Sequence, residues 1–545
     1  MKQDRPNILL ITCDQLRSDF VNCCGGTFMQ TPNIDRLARE GCVFENAYSP
    51  NPVCIPARHN MITGLTDRHH GFDDNYFDAQ AKACPHNLPT FAQILNDSGY
   101  ETIAIGKMHF QPERRATGFD HFLNMDELPR VREEDDYAMY LKEAGYGHLQ
   151  SVHGVRTCMY MQPQRSMLPE KHHGSAWVAD RAIEYLRSTK GRTPFLLWAG
   201  FIHPHPPFDI PEGWQDLYKG KIPEPAKTVT PLSALAEENK QLGCAFNDEV
   251  KTRIRELYAS AVTFADYQIG RILDTMEELG LMDNTLIIFT SDHGEMLGDL
   301  DTYQKFLPYD ASAKIPFVVR YPKRLQAGER RQYFVDLNDI LPTFLDEAGL
   351  EYPAEYDLPG EAIFMANGRK NRRYQYIEHQ RDNKRWCCIR DERYKYVYHY
   401  GDGEQLFDME NDRAETTNLL YGGCEAEIPE EIREVRDRLK ETLLAYERRY
   451  GLKGYAGSEG FKQMERYVPH PYYETNFPIF PTRALEEEQA QFDDYSSEIL
   501  EAVKDEPSVK FSKNHAEEIL KEFGGYSEER FQDFVRRAKE QGCWE

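Results

Sequence analysis

The sequence predicts an α/β fold in which a mostly parallel sheet lies between layers of helices, followed by a smaller antiparallel sheet that carries one helix. Two observations support this fold class. In the first two thirds of the chain, short apolar runs without polar–apolar alternation are separated by segments of helical periodicity, as in parallel sheets covered on both faces. From about residue 374 the pattern changes to β-rich runs with short polar breaks, which is typical of antiparallel strands.

The first elements show how the individual predictions are made. Residues 7–12 (NILLIT) form an apolar run of the kind that makes a buried strand. Residues 32–40 begin with a proline, which suits the first turn of a helix, and Gly41 follows as a stop signal. Residues 42–48 then complete a β-α-β order. The same order continues with helices at 88–98, 176–188 and 254–279, and with strands at 102–105, 194–201 and 285–290.

The chain of 545 residues is long enough for a large catalytic domain and smaller units. We assign residues 1–373 to the catalytic domain and 374–450 to an antiparallel-sheet subdomain with a charged amphipathic helix at 429–448. Residues 451–545 are a C-terminal extension to which the sequence assigns no role. Its aromatic stretch, residues 472–480, is a candidate for closing over the site of a neighbouring subunit in a homo-oligomer.

The composition argues against several classes of function. The formal net charge is −25 at pH 7, so nucleic acid would be repelled from most of the surface and an anionic substrate would need a locally positive pocket. The N-terminal sequence has no basic region followed by a long apolar run, and no other run reaches the length of a membrane span. We therefore expect a cytoplasmic protein without a membrane partner. The twelve cysteines are expected to be reduced thiols, and none forms a C-x-x-C pair.

Polar side chains follow four of the predicted strands. Ligands of open parallel sheets bind beyond the carboxyl ends of the strands, so these positions are the first candidates for a site. Any one of them has a structural explanation, since an aspartate after a strand often caps a helix and a single histidine is often a hydrogen-bonded core residue. Four together are harder to explain in that way. The positions are Asp14-Gln15, Lys107 with His109, His203 with His205, and Asp292-His293.

The chemistry of these side chains points to a cation and an anion held side by side. Asp14, Gln15 and Asp292 offer hard oxygen ligands, which suit Ca²⁺ or Mg²⁺. Arg58 and Lys107, together with Lys305 and the histidines, supply positive charge. A tetrahedral oxyanion beside a divalent cation would be stabilised by such a set.

Cys54 lies where a loop enters a predicted helix, in the sequence NPVCIPAR. Backbone N–H groups at a helix N-terminus favour an anion, so a nucleophilic thiolate is one interpretation. A structural cysteine is the alternative, because oxygen ligands are an unusual setting for a catalytic thiolate and no Cys-His-Asn arrangement is evident.

The same residues resemble a known family. The stretch from Cys54 to Arg58 matches the C-x-P-x-R signature of the type I sulfatases, in which the cysteine is converted after synthesis to formylglycine. Further elements of that family occur in the same order over residues 6–450. They are Asp14-Gln15, Gly106-Lys107-Met108-His109 (G-K-x-H), 203–208 (H-x-H-x-P-F), Ser291-Asp292-His293-Gly294 (S-D-H-G), Lys305 before Tyr309 (K-x-x-x-Y), and 404–419, where Arg413 replaces the usual proline.

The resemblance implies an alkaline-phosphatase-like fold and a metal site. One divalent cation, Ca²⁺ in preference to Mg²⁺, would be bound by Asp14, Gln15, Asp292, His293 and an oxygen of residue 54. His293 stands where many members of the family have asparagine.

The resemblance also implies a role for each catalytic residue. Formylglycine made from Cys54 would attack the sulfur as a hydrated aldehyde, steadied by Arg58. His109 would take the proton from its second hydroxyl, so that the aldehyde re-forms. The residues that would balance the charge on the sulfate are Lys107, His205 and Lys305, with His205 or Lys305 protonating the leaving oxygen.

These roles predict hydrolysis of a sulfate ester, either of a small molecule or of a saccharide, after maturation by a formylglycine-generating enzyme. Relatives with the same fold hydrolyse phosphonate or phosphate esters, but Lys107 and His109 of the G-K-x-H element favour sulfate. A third hypothesis is a non-catalytic, metal-stabilised binding protein in which Cys54 is never modified.

Overall fold

The computed structural model describes residues 5–545 except 76–87, 113, 116, 128, 130, 157–158, 190–192, 242, 244–245, 365–371, 423–426, 470–494 and 524–525. The aromatic stretch 472–480 lies outside the described residues. The strands are β1 (Asn7–Cys13), β2 (Cys42–Tyr48), β3 (Glu101–Gly106), β4 (His121–Asn124), β5 (Gln164–Arg165), β6 (Phe195–Phe201), β7 (Asp209–Ile210), β8 (Thr285–Ser291), β9 (Phe317–Arg320), β10 (Glu329–Asp336), β11 (Gln375–His379), β12 (Trp386–Arg390), β13 (Tyr394–His399), β14 (Gly403–Asp408), β15 (Ala456–Gly457) and β16 (Gly460–Phe461).

The helices of the described residues connect and flank these strands. They are α1 (Pro32–Glu40), α2 (Cys54–Thr63), α3 (Asp67–His70), α4 (Phe91–Asp97), α5 (Asp136–Leu141), α6 (Gly174–Thr189), α7 (Ala234–Gln241), α8 (Asp248–Glu278), α9 (Asp310–Ala313), α10 (Ile340–Ala348), α11 (Glu430–Arg449), α12 (Tyr495–Ala502), α13 (Lys513–Phe523) and α14 (Glu528–Glu540). None of them is long and apolar enough to cross a membrane.

The central sheet has eight strands in the order β10-β2-β9-β8-β1-β6-β3-β4. Only β9 runs antiparallel to its neighbours, which confirms the predicted mostly parallel sheet. Both faces are covered by helices, so that Leu9 and Ile11 of β1 pack in one core and Ile8 and Leu10 pack in the other. This burial on both faces is why the strand sequence is apolar without alternation.

The second sheet is antiparallel, in the order β11-β12-β13-β14, and confirms the predicted smaller sheet. Leu439 and Leu443 of α11 pack on one face of it. The other face, which includes Trp386, packs against the catalytic part of the chain. The C-terminal helices α12, α13 and α14 contribute to a further apolar core, which also includes Val155 and Met159.

Three predicted helices begin two or more residues away from their start in the structure. The helix predicted at 88–98 is the shorter α4, because the side chain of Thr90 caps it by accepting a hydrogen bond from the backbone N–H of Gln93. The helix predicted at 254–279 begins earlier, at Asp248, where the Asn247 side chain accepts from the N–H of Val250. The predicted helix at 176–188 starts at Gly174.

Candidate active site

The carboxyl ends of four neighbouring strands bring the predicted polar residues together. Cys13, at the end of β1, pairs in parallel register with Phe201 of β6 and with Ser291 of β8, so the residues after all three strands share one edge of the sheet. Strand β3 ends beside β6 at the same edge, since Gly106 pairs with Gly200. The residues that follow these strands form a buried cluster of charged and polar side chains at the N-terminus of α2, which we call the Cys54 pocket.

Cys54 is the first residue of α2 and is completely buried. Its Sγ atom lies 3.0 Å from Nζ of Lys305, 3.2 Å from Nε2 of His293 and 3.8 Å from Oδ1 of Asp14. A cation, an imidazole and a carboxylate therefore converge on the side chain of residue 54.

The charges around Cys54 stabilise an anion at this position. Burial alone would raise the pKa of the thiol, but the positive charges of Lys305, Lys107 and His293 and a hydrogen bond from His109 hold that pKa well below its usual value. The environment of Cys54 differs in this respect from that of the buried Cys13, Cys42, Cys387 and Cys388, whose pKa values are all raised.

Four side chains of the pocket have the spacing of a metal site. Ligand atoms of Asp14, Cys54, Asp292 and His293 all lie within 4.8 Å of one another. Nε2 of His293 lies 3.7 Å from Oδ1 of Asp14 and 3.8 Å from Oδ1 of Asp292. Because Nδ1–H of His293 donates to the carbonyl of Gly294 (2.9 Å), Nε2 faces the carboxylates, where the neutral imidazole would bind a cation.

Gln15 is oriented toward the same pocket by Glu295. The Gln15 amide Nε2 donates to the Glu295 carboxylate, so Oε1 turns toward Lys305, whose Nζ donates to it at 2.8 Å. Burial raises the pKa of Glu295, which also accepts hydrogen bonds from the N–H groups of Leu297 and Gln304. Glu295 thereby fixes both Gln15 and the turn that carries Lys305.

Arg58 lies one turn after Cys54 on α2 and is completely buried. It donates to Oδ2 of Asp292 (2.8 Å), to Oδ2 of Asp14 (3.3 Å) and to the carbonyl of Lys107. Oδ1 of Asp14 lies toward Cys54, and Oδ1 of Asp292 accepts from the backbone N–H groups of Gln15 (3.1 Å) and His293 (3.0 Å). The guanidinium thus neutralises the aspartates and fixes their orientation, as a buried ion pair requires.

His205 and Lys107 lie on the other side of Cys54 and share a partner, Glu127. Nδ1–H of His205 donates to the carbonyl of Pro206 (2.6 Å), while its Nε2 lies 3.0 Å from Nζ of Lys305 and 3.4 Å from Oε2 of Glu127. Burial lowers the pKa of His205, although the Glu127 carboxylate opposes that effect. Lys107 forms ion pairs with both Asp14 and Glu127.

His203 is not part of this pocket. Its Nε2 lies 3.1 Å from Oδ1 of Asp209, and Asp209 also faces Nε2 of His173 at 3.6 Å. The other predicted site residues, Asp14, Gln15, Cys54, Arg58, Lys107, His109, His205, Asp292, His293 and Lys305, contact one another around residue 54.

Three residues that the sequence reasoning missed reach the pocket. They are Glu127, Arg156 and Tyr160. Glu127 follows the short strand β4, which the sequence did not predict, and the other two lie in an irregular segment without a motif. Glu295 was also missed, although it directly follows the Ser291–Gly294 element and could have been found there.

Two family models match the chain. The sulfatase model matches residues 6–350, and the model of the C-terminal region of N-sulphoglucosamine sulphohydrolase matches residues 298–447. The first match alone covers more than half of the chain and includes every residue of the pocket.

Curated relatives and solved structures agree with this match. An arylsulfatase of Clostridium perfringens is 32% identical over 464 residues, covering 81% of this chain and 94% of the relative. An N-acetylglucosamine-6-O-sulfatase of Bacteroides thetaiotaomicron is 28% identical, covering 81% of this chain and 87% of the relative. The crystal structure of a phosphonate monoester hydrolase of Agrobacterium radiobacter superposes with a TM-score of 0.69 at 24% identity, covering 85% of this chain and 100% of that one, and confirms the alkaline-phosphatase-like fold. The chain therefore belongs to the sulfatase family and is a hydrolase of sulfate esters.

Proposed function

We propose that this sulfatase removes sulfate from a sulfated saccharide, using formylglycine made from Cys54 and one divalent cation, Ca²⁺. The observation that carries the proposal is the convergence of Lys305, His293 and Asp14 on the completely buried side chain of residue 54. A structural cysteine would not need a lysine, an imidazole and a carboxylate around its sulfur.

The donor set fits a hard divalent cation. Two carboxylates, one imidazole and the side chain of residue 54 face one point, and atoms bound to one cation at roughly 2.0–2.6 Å are separated by about 3–4 Å. Asp14, Asp292 and His293 would hold the cation, with the nearby Gln15 amide oxygen as a further ligand. When bound, a divalent cation supplies the positive charge that favours an anionic oxygen on residue 54.

The formylglycine hydrate supplies an oxygen nucleophile where the thiol of Cys54 now lies. Arg58 steadies the carboxylates beneath it through two ion pairs. Lys107 and Lys305, whose pKa values are raised despite burial because anions surround them, stay protonated and bind the oxygens of the sulfate group.

Three groups are placed to move protons. Nε2 of His205 and Nζ of Lys305 lie 3.0 Å apart, so either can carry a proton to the oxygen of the departing alcohol. His109, which hydrogen-bonds to the side chain of residue 54, is placed to accept the proton of the second hydroxyl and so return the residue to the aldehyde.

The proposed substrate class rests on the polar side of the pocket beyond His205. Arg156, Glu127 and Tyr160 there offer hydrogen-bond donors and acceptors, which suit the hydroxyl groups of a sugar. The similarity to an N-acetylglucosamine-6-O-sulfatase supports the same class. A formylglycine-generating enzyme of the host is the partner that this proposal requires.

The test combines mass spectrometry with a substrate panel. Peptides across Cys54 from the native host should show exchange of the thiol for an aldehyde. The purified protein, with Ca²⁺ added, should then release sulfate from an N-acetylglucosamine-6-O-sulfate, the substrate class named for one relative. Nitrophenyl sulfate and phenylphosphonate monoesters serve as comparison substrates.

Two outcomes would contradict the proposal. An unconverted thiol in active enzyme would remove the nucleophile, and faster turnover of the phosphonate than of any sulfate would assign the pocket to the alternative ester class. Turnover of nitrophenyl sulfate without any saccharide sulfate would reject the substrate class alone.

A further inference from the structure

The C-terminal module, residues 495–523 and 526–545, lies beyond the residues that both family models match. Its core is not closed on itself. Val155 and Met159, at 0% and 1% exposure, belong to the same apolar cluster as Leu500, Val509 and Phe511 of the module. These two residues come from a stretch next to the active site, so the module and that stretch share one core.

Polar contacts fix the same stretch, which we call the wall segment (residues 150–156 and 159–165). The carboxylate of Glu498, on α12, accepts hydrogen bonds from the backbone N–H groups of Gln150 (2.8 Å) and Ser151 (3.2 Å). At the other end of the segment, Arg165 donates to the backbone carbonyl of Glu501 (3.3 Å) and pairs with its carboxylate. Both ends of the wall segment are therefore attached to α12.

The wall segment is also tied across its middle. The side-chain oxygen of Gln164 accepts from the N–H of Val155 (2.7 Å), and its amide donates to the carbonyls of Val155 (2.9 Å) and Met159 (3.0 Å). A displacement at one point of the segment is consequently passed along it, since these hydrogen bonds are buried and costly to break.

The opposite face of the wall segment contributes to the active site. The hydroxyl of Tyr160 lies 3.4 Å from Nε2 of His205, and Nη2 of Arg156 lies 3.0 Å from Oε1 of Glu127. The Arg156 guanidinium also lies over the Tyr160 ring, 5.1 Å from its centroid. Met161 accepts a hydrogen bond from the amide of Gln304, the residue before Lys305, at 2.9 Å.

We propose that the C-terminal module holds the wall segment in place and thereby sets the leaving-group side of the pocket, with Glu498 as a positioning residue for Tyr160 and Arg156. The inference rests on the proposed removal of sulfate from a saccharide and adds a role for a part of the chain that the family match leaves unexplained. The group affected is His205, which is placed to protonate the departing alcohol.

The experiment compares a good and a poor leaving group. Nitrophenolate departs without protonation, whereas a sugar alcohol needs it, so displacement of Tyr160 beside His205 penalises only the second. In Glu498→Ala we expect kcat/KM for a saccharide sulfate to fall about tenfold or more, and that for nitrophenyl sulfate by less than about threefold. A general loss of folded enzyme would lower both equally. The matched control is Glu529→Ala, an exposed acid on α14 of the same module.

Two measurements separate positioning from other causes. Hydrogen exchange of peptides that cover residues 150–165 should be faster in Glu498→Ala than in wild type, and unchanged in Glu529→Ala. The effects of Glu498→Ala and Tyr160→Phe on the ratio of the two substrates should be less than additive, since both act on one contact.

Equal losses for both substrates, or unchanged exchange at 150–165, would overturn the inference. If Glu498→Ala does not fold, Glu498→Gln, which keeps one acceptor oxygen, decides by the same exchange and ratio measurements. Wild type that hydrolyses no sulfate ester would instead reject the proposed function, while the exchange result would still report whether the module holds the wall segment.

Discussion

Two buried polar clusters lie beside each other at the end of β6 and use nearly the same residue types. The Cys54 pocket contains His205, and the closed cluster, defined by His173, His203 and Asp209, contains a histidine only two positions away in sequence. In the closed cluster Asp209 faces both imidazoles, and Nδ1 of His173 accepts from the N–H of Ser175 at 3.1 Å. Its hydrogen-bonding groups satisfy one another.

The Cys54 pocket is arranged differently, because several charged groups compete for one atom. Lys305 and His293 both approach the sulfur of Cys54, which lies at the end of a helix dipole that also favours an anion. Buried charges that converge on one atom, in addition to the ion pairs they form, are characteristic of a binding or catalytic site. Residue types alone do not separate the two clusters, but the direction of their polar atoms does.

Replacement of Cys54 has the largest expected effect, and it tests whether the Cys54 pocket is the catalytic one of the two clusters. We expect Cys54→Ala to lower sulfatase kcat by about 10⁴-fold or more, as loss of a catalytic nucleophile does in other hydrolases. The matched control is Cys42→Ala, since Cys42 is also completely buried but lies in β2 away from the pocket. Sulfate release should be measured for both folded variants. Retained turnover in Cys54→Ala would end the assignment of the nucleophile.

Substitution of Lys305 tests whether the positive charge near Cys54, and not only the nucleophile, contributes to catalysis. Lys305→Met keeps the length of the side chain but removes the cation that lies near Cys54 and His205, so we expect kcat/KM to fall about 10²–10³-fold. The exposed Lys227, whose side chain is 67% accessible, provides the control Lys227→Met. Similar kinetics for the two variants would show that Lys305 serves only to fill the pocket.

Removal of the metal tests which of the two clusters binds the cation. Chelation should lower the melting temperature and the activity reversibly, because a ligand at a hundred times its Kd contributes about 2.7 kcal/mol to stability. Asp292→Asn should abolish the Ca²⁺-dependent shift, whereas His203→Gln should retain it. Differential scanning calorimetry measures the shift in melting temperature, and elemental analysis measures the bound metal. A shift that disappears in His203→Gln instead would place the cation in the closed cluster.

Much of the fold could be predicted because its boundaries are marked locally. Helix α1 and strand β2 match the prediction at both ends, since Pro32 and Gly41 delimit the helix. Strand β9 was not predicted, because it has four residues and owes its place to antiparallel pairing with β2 and β8. Strand β10 lies at the edge of the sheet. The side chains of its first half alternate between partly buried and exposed, so the sequence of that half is mostly polar.

The residues of the pocket also divide into those that local sequence patterns predict and those that they do not. Asp14, Lys107 and Asp292 could be singled out from the sequence because each directly follows an apolar strand. Arg156 and Tyr160 could not, since long-range packing of the C-terminal module on an irregular segment places them, and no spacing in the sequence records that contact. Local patterns predict the strand ends, whereas the leaving-group side depends on tertiary structure.

The smallest expected effect concerns the closed cluster, where Asp209→Asn should affect stability but not catalysis. Burial alone would raise the pKa of Asp209, but hydrogen bonds from His173 and His203 lower it well below 3.8, so its contribution is present above that pH and is lost as the pH falls below it. We expect the variant to lose about 1–3 kcal/mol of unfolding free energy at pH 7, with kcat nearly unchanged. The difference in unfolding free energy between this variant and wild type, measured by urea unfolding, should be smaller at pH 3 than at pH 4. The control Asp283→Asn, at a side chain 99% exposed, should have the same unfolding free energy as wild type at both pH values. A large fall in kcat for folded Asp209→Asn would mean that the closed cluster takes part in the reaction, and the contrast between the two clusters would not hold.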